Sequence, residues 1–183
     1  MSRVINGLIL TLFLASLSLI STSMVWAVVI KGTVADDNIM GTGTDDKMRG
    51  FRGNDILNGL LGSDEIQGEV GNDILNGSDG NDFLSGGDGS DILDGGVGSD
   101  ELNGGNDPDV LFGGTENDIL YGAMANDHLD GGPGDDRLYG GPGNDTLSGG
   151  PGGDYFRCGS GEDRITNFHP PDGDHEFGDC EIK

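Results

Sequence analysis

The sequence predicts an all-β protein, a right-handed solenoid of 18-residue coils with two short strands per coil and a C-terminal cap. Three observations support this prediction. An aspartate recurs every nine residues, an apolar residue follows it two positions later, and a glycine precedes it by five positions. Nine residues have room for a strand of about three residues and a glycine-rich turn, but not for a helix and its connections. Two units therefore close one coil, and stacked coils hydrogen-bond through parallel strands.

The aspartate series continues through fifteen units without insertion or deletion. The apolar position has no exception from Ile39 to Ile165, and Cys158 is the one break in the glycine series. Because side chains alternate along a strand, the apolar residues of successive coils form a narrow internal spine. The aspartates are Asp37, Asp46, Asp55, Asp64, Asp73, Asp82, Asp91, Asp100, Asp109, Asp118, Asp127, Asp136, Asp145, Asp154 and Asp163.

The composition excludes a nucleic-acid-binding protein. The 183 residues include 33 acidic and 9 basic side chains, and the net charge of −24 would be repelled by phosphates. Hydrophobic residues make up 33% of the chain, a low share that together with this charge is typical of disorder. A periodic core and bound cations are the two features that would shift this balance towards folding.

The first 27 residues are predicted to be a signal peptide. Arg3 precedes an apolar run over 8–20, and Val25 and Ala27 occupy the small-residue positions of a cleavage site. Cleavage would begin the mature chain at Val28 and place it outside the cell, free or associated with the cell surface, with no further membrane contact. An uncleaved membrane anchor is the alternative.

The turns are predicted to bind calcium. Aspartates 18 residues apart become near neighbours in the stack, and their like charges repel unless cations lie between them. Glycine-rich turns also expose carbonyl oxygens, so the donors are all oxygen, as Ca²⁺ prefers. Mg²⁺ fits less well because it requires a tighter octahedron, and the repeats lack the thiolate and imidazole series that transition metals favour. A solvated acidic surface with loosely held counterions is the alternative.

Several units resemble a known calcium-binding repeat. The units 86–94 (GGDGSDILD), 95–103 (GGVGSDELN) and 131–157 (GGPGDDRLY, GGPGNDTLS, GGPGGDYFR) match G-G-x-G-x-D-x-U-x, in which U is large and apolar. This pattern is similar to the RTX, or haemolysin-type, nonapeptide repeat. Four units over 50–85 lack only the second glycine.

The resemblance implies a parallel β-roll that holds Ca²⁺ between stacked turns through repeat aspartates and turn carbonyls, with about ten ions in all. All fifteen aspartates are candidate ligands. The units with the strongest match imply Asp55, Asp64, Asp73, Asp82, Asp91, Asp100, Asp136, Asp145 and Asp154. Asp107, Glu116 and Ala125 replace a turn glycine, so we expect weak binding or none there.

The roll is expected over 28–166, followed by a C-terminal cap over 167–183. Cys158 and Cys180 are the two cysteines of the chain, and we predict a disulfide between them that joins the tail to the final coil. Free thiols or an intermolecular pair are the alternatives. A metal site that combines them with His169 and His175 has no support, because the spacing fits no zinc pattern.

The predicted function is calcium binding without catalysis. His128, His169 and His175 are too scattered for a zinc protease motif, and an 18-residue coil leaves no interior groove for a substrate. The alternative is calcium-dependent adhesion or scaffolding through the outward strand face. Phe112, Tyr121, Tyr139 and Tyr155 are the candidate aromatic patch for an extracellular partner, and packing between coils is the simpler explanation of them.

Overall fold

The structure is a computed structural model that describes residues 3–5, 8–10, 28–178 and 180–182. Most of the predicted signal peptide lies outside the described residues, apart from β1 (Arg3–Ile5) and β2 (Leu8–Leu10), which pair antiparallel. Within the described part of the chain, no helix is long and apolar enough to cross a membrane.

The remaining described chain consists of short strands joined by turns, with one 3₁₀ turn at Pro170–Asp172. The strands are β3 (Val28–Lys31), β4 (Asn38–Met40), β5 (Asp46–Arg52), β6 (Ile56–Leu61), β7 (Glu65–Val70), β8 (Ile74–Asp79), β9 (Phe83–Asp88), β10 (Ile92–Val97), β11 (Glu101–Asn106), β12 (Val110–Thr115), β13 (Ile119–Ala123), β14 (His128–Asp130), β15 (Arg137–Pro142), β16 (Thr146–Ser148), β17 (Tyr155–Ser160), β18 (Arg164–Ile165), β19 (His175–Glu176) and β20 (Glu181–Ile182).

The strands form two parallel sheets of nine strands each. We call them the odd sheet (β3, β5 and so on to β19) and the even sheet (β4, β6 and so on to β20). Each strand pairs with the strand two positions along the chain, in a register of 18 residues: Leu93 lies opposite Leu75 on one side and Leu111 on the other. The predicted parallel β-roll and its 18-residue coil are confirmed.

The core is a single column of side chains between the two sheets. Each apolar residue of the nine-residue series, from Ile39 to Ile165, exposes no more than 2% of its surface. Ile30 adds one layer before the first repeat, because it keeps the nine-residue phase although its unit lacks the aspartate. Full burial of one such side chain stabilises the fold by about 1.5–3 kcal/mol, so the column is the main apolar contribution.

The strands are longer than the sequence indicated. We expected about three residues per strand, whereas β6 to β12 have six each. The cause is the glycine five positions before each aspartate: in β6, Leu57 and Gly59 both point inward, so the extended backbone continues to Leu61. The turns are correspondingly shorter.

The tail joins both sheets. β19 pairs with β17 and β20 pairs with β18, and the Phe168 ring packs edge-on against Phe156 in the last core layer. Pro170 and Pro171, which we expected to cover this layer, are exposed because they form the 3₁₀ turn. The predicted disulfide is confirmed: Cys158 is buried in the core and is bonded to Cys180.

Candidate metal centres

The repeat aspartates lie in the turns, each immediately before or at the start of a strand. The fourteen from Asp46 to Asp163 expose no more than 3% of their surface. Carboxylates are seldom buried to this extent unless they are paired with a cation or with several donors.

One carboxylate oxygen of each aspartate connects successive coils. The backbone N–H of Asp55 donates to Oδ1 of Asp73 at 2.7 Å, and the N–H of Asp73 donates to Oδ1 of Asp91 at 2.8 Å. The same bond recurs from Asp37 to Asp145 at 2.7–3.0 Å. Aspartates 18 residues apart are therefore neighbours, and they form two ladders along the roll, one before the strands of each sheet.

The other oxygen, Oδ2, is buried without a partner. Among the described residues, Oδ2 accepts no hydrogen bond in thirteen consecutive repeat aspartates, from Asp55 to Asp163. A buried acceptor left without a donor costs about 1–3 kcal/mol, and more when it is charged. Thirteen such oxygens on a chain of net charge −24 require a positive partner that the protein side chains do not supply.

Two glycine positions make room for this arrangement. A Cβ built on Gly50 would overlap Oδ2 of Asp55, which explains the glycine five positions before each aspartate. Gly71, two positions before Asp73, has a φ of +138°, and a Cβ there would overlap the carbonyl oxygen of Gly53 in the preceding coil. The turn carbonyls thus point from one coil to the turn of the next.

The irregular turns keep the same backbone shape. Asp107, Glu116 and Ala125 replace the turn glycine, yet their φ values of +72°, +81° and +81° stay in the left-handed region. The N–H groups of Glu116 and Ala125 still donate to the next coil, at 2.9 Å each. Their altered side chains therefore leave the turn carbonyls in the regular stack.

A further ladder, which our sequence analysis missed, lies outside the aspartates. The residue before each repeat aspartate accepts a bond from the backbone of the next coil: the N–H of Asn72 donates to Oδ1 of Asn54, and the N–H of Ser90 to Oδ1 of Asn72. The signal was available, since this position is Asn, Asp or Ser in twelve of the fifteen units. Pro108 occupies it in one irregular unit and has no N–H to donate.

The two ends of the ladders differ from the middle. In the first two units, Thr33 and Thr42 each donate both a backbone N–H and a hydroxyl to Oδ2 of the local aspartate, Asp37 and Asp46 respectively. At the other end, Asp174 accepts the N–H of Asp154 on Oδ1 and that of His169 on Oδ2. These three carboxylates are satisfied by the protein itself.

Burial makes the middle carboxylates weak acids. Burial raises the pKa of Asp109 to about 8, against the backbone hydrogen bond from Asp91, and the charges of Asp91 and Asp127 raise it further. The pKa of Asp91, Asp118 and Asp136 rises to about 7, also chiefly through burial. The ionised ladders are therefore disfavoured in the roll unless a cation compensates them.

The donors fit Ca²⁺. Within the described residues, no three carboxylate, imidazole or thiol groups converge on one point, so side chains alone cannot complete a coordination shell. Carboxylate Oδ2 atoms together with the turn carbonyls supply an all-oxygen set, as a cation with six to eight oxygen ligands needs. The cysteines are consumed by their disulfide, which removes the cysteine–histidine alternative.

The predicted aromatic patch is divided between the sheets. Tyr121 stacks on Tyr139 with ring centroids 4.9 Å apart, and Tyr155 stacks on Phe177 at 5.0 Å, all along the odd sheet. Phe112 lies on the even sheet because its unit has the opposite parity, so the four residues do not form one surface. The tyrosine rings contact each other across the coils, which is cross-strand packing.

Comparison with known proteins agrees with this geometry. A search of curated proteins found no match to the chain. The family described as RTX calcium-binding nonapeptide repeat (4 copies) matches residues 31–66, 67–102, 103–138 and 130–165. These matches include all fifteen repeat aspartates, in the phase that places their Oδ1 atoms in the two ladders. The chain belongs to the RTX calcium-binding nonapeptide repeat family.

Proposed function

We propose that this is a secreted calcium-binding protein whose β-roll folds around Ca²⁺. The observation that supports this best is the row of thirteen buried Oδ2 atoms without a hydrogen-bond partner among the described residues. Asp55 to Asp163 would hold the ions together with turn carbonyls, and the bound charge would neutralise the ladders. About ten ions, of two charges each, would offset most of the net charge of −24.

The repeat aspartates do not contribute equally in this proposal. Asp37 and Asp46 have their Oδ2 atoms occupied by threonine donors, so the first coil is held by hydrogen bonds and the following coils by ions. The regular turn backbone at Asp107, Glu116 and Ala125 supports ion binding there as well.

Export and a non-catalytic role are part of the same proposal. The leader over 1–27 supports export, and extracellular calcium would reach the turns at affinities of about 10⁻⁴ to 10⁻³ M. The aspartates are assigned to metal ligation, so we expect no catalytic activity from them.

Counting the bound ions tests this assignment. We expect Asp91→Asn, which keeps an Oδ1 acceptor for Asp73, to lower the calcium stoichiometry in equilibrium dialysis by one or two ions, about the number of sites one ladder carboxylate can share. The matched control is Asp37→Asn, where Oδ2 already has donors, and there the stoichiometry should not change. Equal losses in both variants, or no loss in either, would contradict the assignment.

A further inference from the structure

The outer face of the even sheet is apolar over its first five strands. Ile56, Ile74, Ile92 and Val110 lie in register on adjacent strands, and the three isoleucines are 43–44% exposed. Seven large hydrophobic residues are exposed on these five strands: Met40, Ile56, Leu61, Ile74, Ile92, Val97 and Phe112.

This face is almost uncharged on a strongly acidic protein. Strands β4, β6, β8, β10 and β12 present two charged side chains, Asp79 and Asp94. The first five strands of the odd sheet present eight: Lys31, Lys47, Arg49, Arg52, Glu65, Glu69, Asp88 and Glu101. The even sheet is therefore the face that loses least hydration energy when it is covered.

The face is also large enough for a stable interface. Nine strands at a spacing of about 4.8 Å extend for about 38 Å, and six residues extend for about 20 Å, which gives about 760 Å² on each copy. A standard protein–protein interface buries about 800 Å² per partner.

We propose that the protein forms a two-fold symmetric dimer through the outer faces of two even sheets. Two molecules of net charge −24 repel each other, and the nearly neutral face is where they approach at least electrostatic cost. A second copy also presents side-chain rows at the same strand spacing, so the two rows can interdigitate as in face-to-face sheet packing.

The symmetry of the dimer follows from the positions of the charges. A two-fold axis parallel to the strands and midway between β8 and β10 sets Ile74 against Ile92 of the second copy. It also sets Asp94 against Asn76 and Asp79 against Val97, so no two carboxylates of this face meet near the axis. The interface exists only when the roll is folded, so the dimer rests on the proposed calcium-dependent folding.

Sedimentation velocity of the full-length chain in saturating Ca²⁺, from about 1 to about 100 µM protein, tests the dimer. We expect a dimer with micromolar Kd, weakened at least about tenfold by Ile74→Thr/Ile92→Thr, which keeps β-branched residues on the strands. The matched control, Phe83→Thr/Ile119→Thr on the odd sheet, should change Kd by less than about twofold.

Far-UV circular dichroism of each variant in Ca²⁺ separates folding from association. If the double threonine variant fails to fold, Ile92→Lys replaces it, because a single exposed lysine beside Asp94 places a charge in the interface and leaves the core unchanged. A folded wild-type protein that stays monomeric would overturn the dimer while leaving calcium binding intact. Dimers that survive the even-sheet variants, or that both double variants weaken equally, would also overturn it.

Discussion

At the scale of single residues, each repeat aspartate uses its two oxygens differently. Oδ1 accepts a backbone N–H of the preceding coil, whereas Oδ2 of Asp55 and its successors is buried without a donor. The nine-residue period predicted where these aspartates lie, because a regular solenoid brings equivalent positions together. It did not predict the exceptions, since the donors to Asp37 and Asp46 come from Thr33 and Thr42 and depend on side-chain geometry within one turn.

The turn glycines are predicted to be required by geometry and not by composition. Gly71→Ala should lower the free energy of unfolding by about 1–3 kcal/mol, because its φ is +138° and a Cβ would overlap the carbonyl of Gly53. Gly43→Ala is the control: no positive φ is involved, and the nearest atom to a Cβ is Leu61 Cδ1 at 3.9 Å, so we expect a change within about 0.5 kcal/mol. Urea unfolding in saturating Ca²⁺ measures both, and similar losses would contradict this explanation.

At the scale of elements, the sequence predicted the coils better than the tail. The strand pairing follows from a period that never slips between Asp37 and Asp163. In the tail, Asp174 takes the place of an aspartate two residues later than the phase requires, and its Oδ1 binds the N–H of Asp154 across 20 residues. A local insertion of this kind has no periodic signal, so the strands at His175–Glu176 and Glu181–Ile182 were not predicted.

The disulfide is predicted to hold this tail on the roll. Replacement of both cysteines, Cys158→Ala/Cys180→Ala, should lower the free energy of unfolding by about 3 kcal/mol, as expected for a closed loop of this size. Reduction of the wild-type protein should reproduce most of that loss, which separates the crosslink from the buried side chain of Cys158. Urea unfolding in Ca²⁺ provides the measurement, and a change below about 1 kcal/mol in both samples would argue against a stabilising role.

At the scale of the whole molecule, the fold is a balance between one apolar column and two ladders of like charge. Composition alone favoured disorder, and the nine-residue period indicated how the chain folds in spite of it. Because the charge lies in buried ladders, the stability of the roll should depend on whatever neutralises the carboxylates, either protons or cations.

Acidification is therefore predicted to stabilise the calcium-free roll. The pKa values of the buried aspartates rise to between about 6, as for Asp82, and about 8, as for Asp109, whereas an unfolded aspartate titrates near 3.9. The roll then binds more protons than the unfolded chain between about pH 4 and pH 8, so its stability falls as the pH rises through this window. Circular dichroism of the calcium-free protein should show more β structure at pH 5 than at pH 8. In the presence of Ca²⁺ the dependence should reverse, since protons compete for the same oxygens, and a calcium-free roll that gains stability with rising pH would contradict the ladders.

The central claim is that cations among the stacked carboxylates allow this chain to fold, and a calcium titration followed by far-UV circular dichroism tests it most directly. At pH 7.5 we expect the chelated protein to lack the β spectrum and to gain it cooperatively as Ca²⁺ reaches about 10⁻⁴ to 10⁻³ M, whereas the same concentration of Mg²⁺ has little effect. A full β spectrum that chelation leaves unchanged at this pH would contradict the claim.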